Sequence, residues 1–302
     1  MSYRRRLAEG GKILSFEFFP PKSEEHLSLT QSRILELARF NPQFMTVTYG
    51  AGGGTRHLTR VLAEYIAQNT SSVAVSHLTC VGHTADDIDQ ILADLYESGV
   101  HNVLALRGDP PKGQDKFEQH PDGFACARDL VRHISSRHPQ FGVAVAGYPE
   151  KHLEAVSSQA DIDYLKEKVD AGAELIFTQL FFDENRYFEF LEKAAAVGIN
   201  VPIVPGIMPI GNVAQVQRFT SMCGASIPAG LMTELEKRQD DNEAVIGFGI
   251  EYAIQLCQKL LDGGAPGIHL YTLNKSRQVV PVVEELFGPA SPDFACKSVA
   301  RA

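Results

Sequence analysis

The 302-residue sequence has no CxxC pair, and its five cysteines are an odd number. Neither a disulfide framework nor a thiolate zinc site is built that way, and a reducing cytoplasm is the expected compartment. Basic residues are outnumbered, 28 against 37, for a formal charge of −9. That balance argues against a nucleic-acid partner, which calls for a basic footprint. No apolar core follows the arginines of the opening MSYRRRLAEG, so a secretory leader is not expected. The longest uncharged run, Ala194 to Gln217, is cut by Pro202, Pro205 and Pro209 and by Gly198, Gly206 and Gly211. A continuous membrane-spanning helix is thereby excluded. With 44% hydrophobic and 22% charged residues, the chain reads as a soluble globular protein.

What is present is a repeat of short apolar segments. They start at Ile13, Phe44, Val73, Asn102, Gly142, Leu175, Val201 and Gly267 and extend to Pro20, Gly50, Cys80, Gly108, Pro149, Phe182, Met208 and Asn274. Most start-to-start spacings suit one strand, one crossover helix and two loops. Thr84 is placed to cap a helix with Asp86 and Asp87 in its first turn and Ile88, Ile91, Leu92 and Leu95 as its stripe. Ile162, Leu165 and Val169 form a second stripe, ended at Gly172. Before the eighth segment, helices are expected near 212–222, 228–238 and 242–262, and a last one at 276–287. Eight strands alternating with helices favour an α/β fold of the (β/α)8 TIM-barrel type. The rival open sheet lacks its usual fingerprint, because the first strand–helix junction reads FEFFPPKSEE rather than G-x-G-x-x-G. The expectation is one catalytic barrel over 1–302, with extra helices before strand eight.

Active sites of such barrels lie at the C-terminal ends of the strands, so those ends are where chemistry is sought. Glu17 is flanked by Phe16, Phe18, Phe19 and Pro20; desolvation there would raise its pKa and suit a general acid. The alternative is a glutamate paired to a cation at the rim. Alternation along a strand would put Glu17, Thr48 and Gln179 in one mouth if their faces point inward. Arg107-Gly108-Asp109 ends the fourth strand, either as a structural ion pair or as a site. The glycine-rich GAGGG, residues 50–54, could bring backbone N–H groups to an anion. His77 could be a core histidine, a ligand contact or a metal ligand; the lack of a ligand spacing around it and of H-E-x-x-H points to no metal. G-x-S-x-G is missing, and lysine is absent from seven of the eight strand ends, Lys275 following only the eighth, which disfavours serine-nucleophile and Schiff-base chemistry. A metal-free mouth of this kind suits an organic cofactor.

At these strand ends the sequence resembles the methylenetetrahydrofolate reductase family. The resemblance rests on Ser15 to Pro21, Val47 to Gly53, His77 to Cys80, Ala105 to Asp109, Tyr148-Pro149-Glu150, Thr178-Gln179 with Phe181-Phe182-Asp183, Pro205-Gly206-Ile207 and Tyr271 to Asn274. Each motif is short, but eight in register on eight strand ends are specific together. The length resembles the short bacterial form, without a C-terminal regulatory domain. The resemblance implies a flavoprotein that uses FAD to reduce 5,10-methylenetetrahydrofolate to 5-methyltetrahydrofolate. Its electrons would come from NADH or NADPH in a ping-pong cycle, within one-carbon metabolism and methionine biosynthesis, and the protein would be a homo-oligomer. By the same resemblance, Glu17 is the general acid, Asp109 lies between flavin and folate, and Gln179, Gln215 and Phe219 are substrate contacts, with Lys275 at the hold on the folate's tail. The implied flavin contacts are Thr48, Tyr49, Ala51, His77, Arg107, Gly108, Asp109, Ala127, Tyr148, His152, Asp161 and Lys168.

The chain departs from the family pattern at four places. His57-Leu58 replaces an acidic–basic pair, Cys126 a tyrosine, Tyr164 an asparagine, and Lys275 an arginine. Lysine lacks arginine's planar bidentate fork for a carboxylate. A flavin-free pterin-binding barrel that transfers a group is the competing reading; a proline dehydrogenase would need an arginine pair that the eighth strand end lacks.

Overall fold

A computed structural model describes residues 3–21, 23–49, 56–110 and 117–292. Nine parallel strands form one sheet: β1 (Ile13–Phe18), β2 (Phe44–Val47), β3 (Val73–Thr79), β4 (Asn102–Leu106), β5 (Gly142–Gly147), β6 (Leu175–Thr178), β7 (Ile203–Val204), β8 (Gly206–Ile207) and β9 (Gly267–Tyr271). Their order is β7-β6-β5-β4-β3-β2-β1-β9-β8. The strands β7 and β8 are two halves of one stave, separated by Pro205 alone. The lower half pairs with β6 and the upper half with β9, so the sheet returns on itself as an eight-stave TIM barrel.

The expected seventh strand, Val201 to Met208, is therefore two pairs of residues. Proline has no N–H to give a ladder, and Pro202 and Pro205 serve only as acceptors, from Ile176 and His269 at 3.0 and 2.9 Å. Gly206 donates instead to the Thr178 hydroxyl at 2.9 Å, which stitches the stave back to β6.

Helices cover the outside: α1 (Tyr3–Ala8), α2 (Leu27–Ala38), α3 (Arg56–Asn69), α4 (Ala85–Glu97), α5 (Ala127–Arg137), α6 (Ser158–Asp170), α7 (Glu184–Ala196), α8 (Val213–Cys223), α9 (Ala229–Glu236), α10 (Asn242–Asp262) and α11 (Val279–Phe287). Thr84 starts α4 with a full capping box to Asp87, and Ile88, Ile91, Leu92 and Leu95 are its buried face, as the sequence pattern requires. The helix α6 ends just before Gly172, whose φ of +123° an L side chain rarely adopts. The three helices α8, α9 and α10 fill the gap before the last strand and bury Leu180, Phe182, Met208, Leu231 and Leu235. Among the described residues, no helix is long and apolar enough to cross a membrane.

Strand alternation divides the apolar residues in two. Phe16, Phe18, Met45, Val47 and Leu78 face outward under the helices. Phe44, Val73, Val75, Leu104, Ala144, Leu175 and Phe177 fill the barrel interior. Helix α1 closes the bottom with Tyr3, fully buried against Phe44 at 5.2 Å, its N–H on the Asn102 side chain at 3.0 Å.

Candidate active site

Above that interior packing, the mouth opens as a cavity of about 460 Å³, within the ~300–1,000 Å³ usual for small-molecule sites. Glu17, Thr48, Tyr49, His77, Arg107, Gly108, Asp109, Tyr148, His152, Gln179 and Phe219 line it, so eleven of the expected site residues share one space.

Glu17 lies at its floor, only 6% exposed, and its surroundings differ from those expected. The flanking Phe16 and Phe18 are on the other face of β1, in the core beneath the helices. Facing the carboxylate instead are His77 at 3.3 Å, His269 at 3.5 Å and the Thr46 hydroxyl at 3.5 Å. Ser15 in turn holds His269 at 2.8 Å through Nδ1. Burial alone pushes the Glu17 carboxyl up, but the His269 and His77 imidazoles outweigh it and hold it down at about 2, against an ordinary 4.5. The raised pKa expected from the sequence is thus corrected: an inward strand residue meets the alternate residues of neighbouring strands, not its own sequence neighbours. His269 was the residue missed. It sits two positions before Tyr271, on the same face of β9, below the strand end where the sequence was read.

Arg107 stands on the rim, its guanidinium over the Phe117 ring at 5.2 Å. Its partner is not Asp109 but Glu154, which receives both of its terminal nitrogens; Glu154 was not singled out by the sequence. Hydrogen bonding to Glu154 raises the Arg107 pKa further. Asp109 is exposed in the mouth. Between them, Gly108 has φ +90°, and a Cβ there would lie 2.6 Å from Val81 Cγ1 and 3.0 Å from Thr79 Cβ. Only glycine lets the chain come this close. Burial pushes the Tyr148 phenol up, and its ring stands edge-on to His152 at 4.7 Å. Gln179 is held by its own loop, its side-chain carbonyl accepting the Leu180 N–H at 2.8 Å.

Three expected flavin contacts lie behind this wall rather than on it. Asp161 accepts the His152 N–H at 2.9 Å. Lys168 is buried, donates to the Ala146 carbonyl at 2.6 Å and lies over the Tyr164 ring; burial pulls its pKa down to about 8. Ala127 opens α5 after the N-cap Cys126. Two of the departures from the family pattern meet at the start of this helix, the Cys126 thiol donating to Asp129 at 3.2 Å and the Tyr164 hydroxyl accepting the Arg128 N–H at 3.4 Å. Gln215 and Lys275 share a separate small cleft, joined to the mouth through Tyr271 and Leu273. Ala51 and the glycines at 50–54 lie outside the described residues.

A family model described as methylenetetrahydrofolate reductase matches residues 2–287. The chain is 44% identical over 288 residues to methylenetetrahydrofolate reductase (NADH) 1 of Arabidopsis thaliana, covering 92% of this chain and 49% of that protein. To 5,10-methylenetetrahydrofolate reductase of Escherichia coli strain K12 it is 37% identical over 278 residues, covering 92% of both. It thus spans about half the length of the plant relatives and nearly all of the bacterial one. Among solved structures, an uncharacterized protein from Clostridium thermocellum that binds two copies of 5-methyl-5,6,7,8-tetrahydrofolic acid superposes with a TM-score of 0.65. That match has 16% identity and covers 94% of this chain and 97% of the other, a likeness of fold.

Proposed function

The chain belongs to the methylenetetrahydrofolate reductase family, and from that membership we propose that it reduces 5,10-methylenetetrahydrofolate to 5-methyltetrahydrofolate, with FAD as cofactor and NADH or NADPH as donor. The observation that carries this reading is the convergence of Glu17, His77, Asp109 and Gln179, from four different strand ends, on one cavity.

The residues of the mouth suit a flavin on chemical grounds. Leu104, Leu106, Ala146 and Phe177 give apolar surface and Tyr49 and Tyr148 aromatic edges. Gly108 admits close approach to its backbone, and the buried Thr79 hydroxyl has no partner among the described residues. Arg107 and His152 on the rim, with Lys168 behind, would face the pyrophosphate. When bound, FAD would take a hydride from the nicotinamide and give one to the folate, the two substrates using the site in turn.

The chain's own part is to manage a proton. Opening the methylene bridge to an iminium leaves an electron pair on an amine nitrogen, and that nitrogen needs an acid. Glu17, on the floor of the cavity, is the residue to which this reading gives that role. Held at about 2, its carboxyl carries no proton of its own near neutral pH, so a proton has to be delivered to it before it can act as the acid. Asp109 offers its oxygens to the pterin's N–H groups, and Gln179 and Phe219 border the same space. Phe219 brings the extra helix α8 to the mouth.

The test is anaerobic spectroscopy of the purified, FAD-loaded protein. NADH or NADPH should bleach the flavin bands, and methylenetetrahydrofolate should restore them. Glu17→Gln should still bleach and fail to recover. Loss of both half-reactions alike would make Glu17 structural, and a protein that takes up no FAD would overturn the whole reading.

A further inference from the structure

Away from the mouth, two histidines and an aspartate converge on the outer face of the helix layer. His133 lies in α5, His138 is its C-cap, and Asp89 belongs to the second turn of α4. One carboxylate oxygen of Asp89 lies 2.5 Å from His133 Nε2 and 2.7 Å from His138 Nε2. The three donor atoms all fall within 4.8 Å of one another. We propose that Asp89, His133 and His138 form a binding site for one divalent cation of the zinc class, clipping α4 to α5.

Donor chemistry chooses the class of ion. Two imidazole nitrogens and one carboxylate oxygen suit zinc, cobalt, nickel or copper, whereas calcium and magnesium want oxygen throughout. Three protein ligands leave a fourth, tetrahedral position for water. With metal–ligand bonds of about 2.1 Å, tetrahedral angles separate neighbouring donors by roughly 3.4 Å. Each imidazole therefore has to retreat by less than about 1 Å from its place against the carboxylate. The side chains have room for that, being 10%, 18% and 28% exposed for His133, His138 and Asp89.

Their supports are otherwise fixed. The His133 ring packs on Phe124 at 4.8 Å and His138 stands edge-on to Phe141 at 6.5 Å. The backbone of His138 is pinned on both sides, donating to Ile134 at 2.8 Å and accepting from Phe141 at 2.9 Å. Arg137 approaches only the other Asp89 oxygen, at 3.9 Å, so the oxygen between the imidazoles is left to them. Asp89 lies 44 and 49 residues before the two histidines, so the sequence shows only the His133–His138 spacing and the fold supplies the third ligand.

Untagged protein, stripped with chelator and titrated with zinc chloride, should bind one equivalent, with a rise in Tm. Cobalt chloride should give visible absorption bands that zinc abolishes. Asp89→Asn, which keeps a side-chain oxygen for the imidazoles, and His133→Gln should each weaken zinc binding at least 10-fold, with the circular dichroism spectrum unchanged. Zinc binding to wild type no tighter than to these two variants, or no cobalt band, would overturn the proposal. Should His133→Gln not fold, Asp89→Asn decides alone.

Discussion

At the scale of single residues, two buried charges set the behaviour of the mouth. Glu17 is held down to about 2 from 4.5 by His269 and His77. Its contribution to stability is complete above the ordinary carboxyl range and is lost as the pH falls through the window between those values. The stability gap between wild type and Glu17→Gln, measured by denaturant at a series of pH values, should therefore narrow from pH 5 to pH 3. A gap that stays constant would mean that the histidines do not hold the carboxylate. Lys168 is the opposite case. Burial takes it to about 8 from 10.5, so its cost is fully present below pH 8 and eases as the pH rises toward 10.5. Lys168→Met should raise the Tm of the FAD-free protein, by roughly 2–4 °C for each kcal/mol recovered. It should also weaken FAD binding, and a titration that showed FAD affinity unchanged would detach Lys168 from the cofactor.

At the scale of elements, strands and helices were legible because β-branched runs and helical stripes alternate at a nearly regular spacing, and Thr84 and Gly172 mark boundaries by chemistry that acts locally. Two things were not legible. The break at Pro205 is visible as a residue, but which neighbour each half-stave pairs with is decided by barrel closure. The environment of Glu17 depends on His269, which is 252 positions away, adjacent only once β1 and β9 pair. The same seam holds Asn274, whose side chain takes the Phe19 N–H at 2.9 Å and gives a hydrogen to the Phe19 carbonyl at 2.8 Å. Asn274 also has φ +57°, a conformation asparagine tolerates better than most residues. Asn274→Ala loses both bonds and should cost about 1–3 kcal/mol in unfolding. It should also reduce FAD or folate affinity, since Phe19 lines the mouth. A loss below a few tenths of a kcal/mol would show that water replaces the clamp.

At the scale of the whole molecule, the barrel is packed below and open above. Tyr3 makes the difference at the bottom. It fills the space that Gly142 leaves by having no side chain, since a Cβ there would lie 2.8 Å from the Tyr3 ring. Tyr3→Ala should cost about 3–5 kcal/mol, as large aromatic truncations in cores do, while the flavin spectrum stays as in wild type. A change in the spectrum without loss of stability would mean that the floor communicates with the mouth directly. The sequence showed the open end through its polar strand ends and gave no sign of the plug, because a six-residue, arginine-rich helix offers only the Tyr3–Leu7 pair as an apolar face.

The divided stave carries a mechanical consequence. Seven walls of the cup are ordinary ladders, whereas the eighth is a hem of two dipeptides, basted to its neighbours by the hydroxyl of Thr178 and the carbonyl of Pro205, with the phenol of Tyr271 reaching past it to the Thr178 carbonyl. A wall with so short a ladder is where the described part of the barrel has the fewest bonds to break, on the side where α8 stands. On the proposed function, two guests of unequal shape would use one opening in succession without the far wall being rebuilt for each.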